Sequence, residues 1–363
     1  MKLFTRGKWI AGGILLLLGL SLLLAAALLP RPLQSQLQAE RWAGESGGRF
    51  AQFDCILAPG KTLEPSAIYG FRETALNKLA ASDSELPADG SAICDAWSAG
   101  GTLKITGPRG SFDVSALAVG GRFFDFHPQS LLSGVFLAES DLQKDRVVLD
   151  EQLAWMLFGA FDVAGMAVTV GDAELRVAGV VTQPEDRFTR LAGGAAPTVY
   201  LSYECRPLLS GEGVVCYETV LPDPVKGFAK SVAEGTFGTQ GRVMQCTDRF
   251  SFAASLRRLT KLTQQGVRTD SVIFPLWENA AVIAENTCAI LRAFALLCLV
   301  FPAVLLIAAA VRLLRSGKGL VRRGALRLKE AALDARDRLR SRRESKRTDK
   351  GERNGKRNAE KRP

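Results

Sequence analysis

Two long apolar runs bracket a central stretch in which apolar and polar positions alternate at strand and helix periods. Trp9 to Leu29 carries no charge, and Ala289 to Val311 is broken only by Arg292 near its outer end and Pro302 within it. Each is close to the ~20 residues that cross ~30 Å of hydrocarbon, so each predicts a transmembrane helix. Between them, strands are predicted at Arg49–Leu57, Ala92–Trp97, Thr198–Tyr203, Gly213–Leu221 and Arg242–Cys246. Helices are predicted at Leu33–Trp42, Pro65–Ala81, Pro224–Thr236 and Phe250–Gln265. Thr102–Thr106 and Ser111–Val119 form a hairpin across Gly107-Pro108-Arg109-Gly110. A last helix begins after Pro275. Its apolar steps Leu276, Ala280, Ile283, Ala284, Thr287 and Leu291 continue without a break into the second span.

The most patterned stretch is Val119 to Val181. A strand ends at Gly120-Gly121, and a short strand Arg146–Leu149 leads into a helix from Asp150 to Phe158. Asp150 suits the N-cap, Glu151 meets the positive end of the helix dipole, and Gly159 suits a left-handed C-cap. Met166–Val170 and Leu175–Val180 then read as a hairpin joined at Gly171-Asp172-Ala173-Glu174. Overall this gives an α+β domain: a strand-helix-strand unit on each side of a mainly β insert at about 121–205, forming a split ferredoxin-like fold.

Charge sets the orientation. The net charge of +10 sits at the ends: residues 312–363 hold 20 basic against 7 acidic residues, and Lys2, Arg6 and Lys8 precede the first span. The positive-inside rule therefore predicts a two-pass cell-membrane protein. Its parts are cytoplasmic 1–9, spans 10–29 and 289–311, an extracytoplasmic 30–288 and a cytoplasmic tail 312–363. Ala25-Ala26-Ala27 after a basic start also fits a cleaved signal peptide, which leaves the remaining topology unchanged. The tail carries no aromatic residue for base stacking, so membrane lipid rather than nucleic acid is its expected contact, with docking to a cytoplasmic partner next.

The order of residues in this stretch resembles the MacB-like periplasmic core domain of ABC transporter permeases in the MacB/FtsX group. The resemblance runs from Gly121 to Val180 through Phe123, Leu131-Leu132-Ser133-Gly134, Val147-Val148-Leu149-Asp150-Glu151, Leu153-Ala154, Leu157-Phe158-Gly159, Gly165 and Gly179. It implies a non-enzymatic subunit working with a separate ABC ATPase and an FtsX-like permease, alone or as a homo- or hetero-oligomer. Such permeases carry three further spans where this sequence offers one, which points to an accessory or divergent permease subunit. The residues expected to matter, for packing, capping and turns, are Gly121, Phe123, Gly134, Asp150, Leu153, Ala154, Phe158, Gly159, Gly165 and Gly179. A second reading is an anchored sensor or adaptor that binds a peptide, lipid or cell-wall fragment.

Other motifs carry less. Gly44-Glu45-Ser46-Gly47-Gly48 has the spacing of a nucleophile elbow but lacks the strand before and the helix after it, and reads as a joint. Pro59-Gly60-Lys61-Thr62 ends like a phosphate loop, yet Cys55 stands where its first glycine belongs, so it reads as a β-to-α turn. His127 is the only histidine and has no second nitrogen or thiolate near in sequence, so it reads as a satisfied histidine. Asp141, Asp145, Asp150 and Glu151 match no calcium loop and read as a solvated loop and a cap. No cofactor or metal is expected. Of the seven cysteines, five lie well within the extracytoplasmic segment, Cys288 is at the membrane edge and Cys298 within the second span. The five allow one or two disulfides, with Cys205–Cys216 closing the shortest loop, or a reduced, buried set.

Overall fold

The computed structural model describes residues 6–44, 48–82, 92–184, 186–194, 196–211, 213–260, 268–269, 272–273 and 275–314. Its elements are α1 (Arg6–Leu28), α2 (Gln38–Ala43), β1 (Phe50–Leu57), α3 (Pro65–Ala81), β2 (Cys94–Gly107), β3 (Gly110–Gly121) and α4 (Phe123–Phe126). After these come β4 (Leu131–Gly134), β5 (Arg146–Asp150), α5 (Glu151–Phe158), β6 (Ala167–Val170), β7 (Ala173–Val181), α6 (Arg187–Leu191) and β8 (Thr198–Ser202). The last are β9 (Val215–Pro222), α7 (Phe228–Phe237), β10 (Gly241–Gln245), α8 (Phe252–Leu259), the two-residue pair β11 (Arg268–Thr269) and β12 (Val272–Ile273), and α9 (Leu276–Leu314).

One sheet runs through the larger unit, Leu20–Ala295, in the order β10-β1-β9-β2-β3-β8-β5-β7-β4, with β6 pairing β2 and β7. The first four strands, with α3 following β1 and α7 following β9, have the interleaved order of a split βαβ fold. Pro65 opens α3 at its first position, where a missing N–H costs nothing, and Ile68, Phe71, Ala75 and Leu79 form its buried stripe. That stripe packs with Ala229, Val232, Ala233 and Phe237 of α7 over Phe53, Cys55 and Leu57 of β1 and Tyr217 of β9. A second core joins Leu153, Ala154 and Leu157 of α5 to Val147, Leu149, Val177 and Leu201.

The inserted strands do not form a separate layer. The sequence predicts two strands at 92–97 and 102–106, but β2 is a single strand whose first half pairs with β9 and whose second half reaches β6. Gly100 and Gly101 lie inside it, where Leu209, Ser210 and Val214 pass close: a Cβ on Gly101 would stand 3.0 Å from the Ser210 carbonyl.

Other boundaries shift for local reasons. α7 starts at Phe228 rather than at 224 because the Asp223 carboxylate accepts the Gly227 and Ala229 N–H groups, both at 3.1 Å. α8 covers Phe252–Leu259, and residues 261–265 of the predicted helix lie outside the described residues. The predicted helix at 33–42 is a 3-10 turn, Gln34–Gln36, followed by α2. None of the seven cysteines is in a disulfide, and Cys55, Cys94, Cys216 and Cys246 are buried thiols.

Among the described residues, two helices are long and apolar enough to cross a membrane: α1, with 23 residues, and α9, with 39. At 1.5 Å per residue α9 is ~58 Å long, nearly twice a ~30 Å hydrocarbon layer. The described part of the smaller unit consists of the outer lengths of these helices, where a Cβ on Gly12 would stand 2.9 Å from Leu305 Cδ1. The basic tail beyond Leu314 lies outside the described residues.

Candidate functional site: a buried polar layer against the foot of the C-terminal helix

Strand alternation gives β1 and β9 two unlike faces. Odd-numbered positions of β1 enter the apolar core under α3 and α7, while Gln52 and Asp54 point to the other face, and β1 pairs with β9 so that Asp54 stands directly across from Glu218. Both carboxylates are fully buried. This face is covered by α2, the segment after α4, the turn after β10 and the first turns of α9.

Arg249, in the turn after β10, holds the layer together. Its guanidinium donates to both carboxylate oxygens of Glu278 at 2.7 Å, to Glu285 Oε1 at 2.6 Å and to Gln36 Oε1 at 2.6 Å. Arg258 meets the other oxygen of Glu285 at 3.4 Å. The planar fork suits this, since it offers five fixed donors and stays charged when buried. Burial by itself would lower the Arg249 pKa; Glu278 and Glu285 overcome that and carry it well above its ordinary value. Gln52 ties in the N-terminal segment, donating to the Ser35 carbonyl at 2.6 Å and accepting from the Gln38 N–H at 3.0 Å.

Three acid groups remain beside this clamp. The Cys246 thiol donates to Asp54 Oδ1 at 3.1 Å, whereas Asp54 Oδ2 meets no hydrogen-bond partner among the described residues. Burial, then the nearby Glu218 and Glu278, push the Asp54 carboxyl well above its usual range. Burial and Glu278 do the same to Glu218. His127 Nε2 lies 2.8 Å from Glu218 Oε2, and burial lowers the imidazole to about 3. A raised acid beside a lowered base makes this a neutral hydrogen bond rather than an ion pair. His127 also stacks on Trp277 of α9 and on Phe123, with ring centroids 4.3 and 4.4 Å away.

A smaller polar group sits on the opposite face. Arg72 of α3 grips Asp95 with two bonds of 2.7 Å, and the Tyr217 hydroxyl donates to Asp95 Oδ2 at 2.6 Å. Burial and then Asp95 raise Tyr217 well above its usual pKa, which keeps it a donor.

The residues singled out in the sequence lie mostly elsewhere. Asp150 caps α5 by accepting the Leu153 N–H at 2.7 Å, and it also accepts the Thr198 N–H at 2.7 Å; burial raises its pKa. It is thus the buried N-cap of α5. Leu153 and Ala154 are buried, Phe158 is half-buried, and Gly159 ends α5 in the left-handed conformation. Gly121, Gly134 and Gly165 have φ of +62°, +76° and +85°, and Gly179 faces the Val135 carbonyl across the β4–β7 pair. Only Phe123, through His127 and Trp277, touches the polar layer. Pro59–Thr62 is the exposed turn between β1 and α3, and Glu45, Ser46 and Gly47 lie outside the described residues.

Two cavities of about 370 and 410 Å³ flank the same helix foot and share Leu117, Pro184, Tyr200, Leu276 and Trp277.

Together, the ferredoxin-like strand order and the β insert define an α+β domain that carries two helices long and apolar enough to cross a membrane. Residues 58–218 match the model of the MacB-like periplasmic core domain. Similar solved structures include the extracellular domain of the noncanonic ABC-type transporter YknZ from Gram-positive bacteria, at 11% identity and a TM-score of 0.38. The match covers 54% of this chain and 99% of that one. The periplasmic region of MacB from Actinobacillus actinomycetemcomitans matches at 16% identity and a TM-score of 0.37, over 59% of this chain and 94% of that one. A domain of a putative permease from Porphyromonas gingivalis matches at 14% and 0.33, over 55% and 89%. No curated protein matches the chain.

Proposed function

We propose that this chain is a non-catalytic membrane subunit of an ABC-type assembly, in which α9 passes movement between a partner driven by ATP and the MacB-like domain. The carrying observation is the Arg249 clamp. One buried guanidinium binds Glu278 and Glu285 on an unbroken 39-residue helix and sits a few residues past β10. A helix fixed at its foot by charge-assisted bonds transmits displacement, whereas a flexible joint would absorb it. In this reading residues 30–288 are extracytoplasmic and both termini cytoplasmic, and the partners are an ABC ATPase and an FtsX-like permease subunit. Gly121, Phe123, Gly134, Asp150, Leu153, Ala154, Phe158, Gly159, Gly165 and Gly179 maintain the domain.

The test is purification of the full-length chain in mild detergent from its native membrane, with mass spectrometry of what accompanies it. An ATP-binding-cassette subunit and a multi-span permease in stoichiometric amount support the proposal; the chain alone, or with only a soluble protein, overturns it.

The paired cavities favour a second reading, an extracytoplasmic sensor or adaptor. Their volumes are those of small-molecule sites, and their shared wall is the start of α9, so an occupant would touch the same helix.

A further inference from the structure

Asp54, Cys246 and Glu278 each offer a ligand atom, and the three atoms lie within 4.8 Å of one another while all three residues are buried. They come from three separate elements: β1, the residue just after β10, and the first turn of α9. We infer that these residues form a site for a divalent metal ion of the zinc class, which fastens the foot of α9 to the sheet.

Three observations carry this. Asp54 Oδ2 is fully buried and has no hydrogen-bond partner among the described residues, which leaves a strong acceptor facing a cation-sized need. The charges also close: a Cys246 thiolate with Asp54, Glu278 and Glu285 brings four negative charges, Arg249 and Arg258 supply two positive charges, and a divalent ion supplies the other two. Finally, the donor set is selective. A thiolate with two carboxylates suits zinc, whereas calcium and magnesium take all-oxygen shells.

Arg249 on Glu278 then serves as the outer partner that orients a ligating carboxylate, as is usual around metal sites. Zinc–sulfur and zinc–oxygen bonds of ~2.3 and ~2.1 Å place tetrahedral ligands ~3.6 Å apart, and here the three ligand atoms lie within 4.8 Å of one another, with Cys246 Sγ 3.1 Å from Asp54 Oδ1. Coordinating three elements, the ion would hold helix, strand and turn together. This inference does not depend on the transport reading: a metal could sit here whether or not an ATPase accompanies the chain.

The experiment uses the full-length protein in detergent, stripped with chelator, reloaded with zinc alone and passed over a sizing column. About one zinc per chain is expected, with affinity at least tenfold lower in Cys246→Ser and in Asp54→Asn, and unchanged in Cys298→Ser. Cobalt in place of zinc should give a thiolate-to-cobalt charge-transfer band that Cys246→Ser abolishes. If that variant does not fold, X-ray absorption at the zinc edge of the wild type decides, since one sulfur in the shell supports the site and a shell of oxygen and nitrogen alone overturns it. Substoichiometric zinc in the wild type, or undiminished zinc and cobalt signals in folded Cys246→Ser, also overturns it.

Discussion

The two faces of the β1–β9 pair are equally buried and differ in what buries them. Toward α3 and α7, Phe53, Cys55, Leu57 and Tyr217 meet an apolar stripe, with Phe71 edge-on to Tyr217 at 5.4 Å and tilted against Phe237 at 5.2 Å. Toward α9, Gln52, Asp54 and Glu218 meet Arg249, Glu278 and His127. The first face is held by area removed from water, a non-directional force that tolerates small shifts. The second depends on a few bonds of fixed geometry, each costly to leave unmade.

Breaking either face is expected to cost a similar amount, and the two differ in what rescues them. Arg249→Met leaves Glu278 uncompensated in a buried site and is expected to cost ~3–5 kcal/mol, read as a fall in the unfolding midpoint of the detergent-solubilised chain. Adding Glu278→Leu should return most of that loss, because an apolar replacement of a buried pair is often neutral. If the double variant is no better than the single, the polar face is not an ion-pair clamp.

On the apolar face, Phe71→Ala is expected to cost ~3–5 kcal/mol by opening a cavity between the Tyr217 and Phe237 rings, and no second substitution at a charged site should rescue it. Urea unfolding of the two variants side by side distinguishes a lost clamp from a lost core.

The faces also differ in their response to pH. Asp54 and Glu218 are carried above their ordinary values of 3.8 and 4.5, so the native state retains protons that the unfolded chain gives up, and stability declines as pH rises through that window and beyond. His127, lowered from 6.5 to about 3, works the other way between those two values. Between about pH 6.5, above which His127 no longer contributes, and the alkaline range in which the raised buried thiols and Tyr217 join in, the unfolding temperature of chelator-treated protein should fall as pH rises, and less steeply in Asp54→Asn. An identical slope in the variant would remove Asp54 from the account. The smallest effect belongs to neither face: Lys230→Ala, which breaks a half-exposed pair with Glu234 at 3.5 Å on α7, should change stability by no more than ~0.5 kcal/mol.

How much of this is legible in the sequence follows the same division. The apolar face can be read, because Ile68, Phe71, Ala75 and Leu79 announce a helix by their spacing and Pro65 marks its start. The strand-helix-strand units and the two apolar helices are legible for the same reason. The polar layer is not. Asp54 and Glu218 are separated by most of the domain, and a lone acid within an apolar strand looks like a solvent-facing position until both sides of the strand are known to be covered. Arg249 and Glu278 sit at segment ends, where charges are ordinary. The signal that was available is that β1 and β9 are apolar at nearly every position except these, which marks a strand buried on both faces and so makes its single acid unusual. His127 was read as satisfied, and its partner Glu218 could come only from the fold.

The adjacency of β1 and β10 at one edge of the sheet also determines how the domain would bear load if α9 transmits movement as proposed. Because the two strands are antiparallel, the beginning of β1 lies beside the end of β10, with Phe53 opposite Gln245, so the chain enters and leaves at one corner. A pull between the two arms then acts on that corner as on a zipper, one rung at a time, and leaves the inserted strands beyond β2 outside the line of tension. The first rungs are the Cys246 N–H bonded to the Gln52 carbonyl at 2.9 Å and the Gln52 N–H bonded to Thr247 Oγ1 at 2.7 Å. Arg249 stands two residues further along as the slider stop. Its grip on Glu278 ties the departing arm back to the corner before tension reaches the first rung.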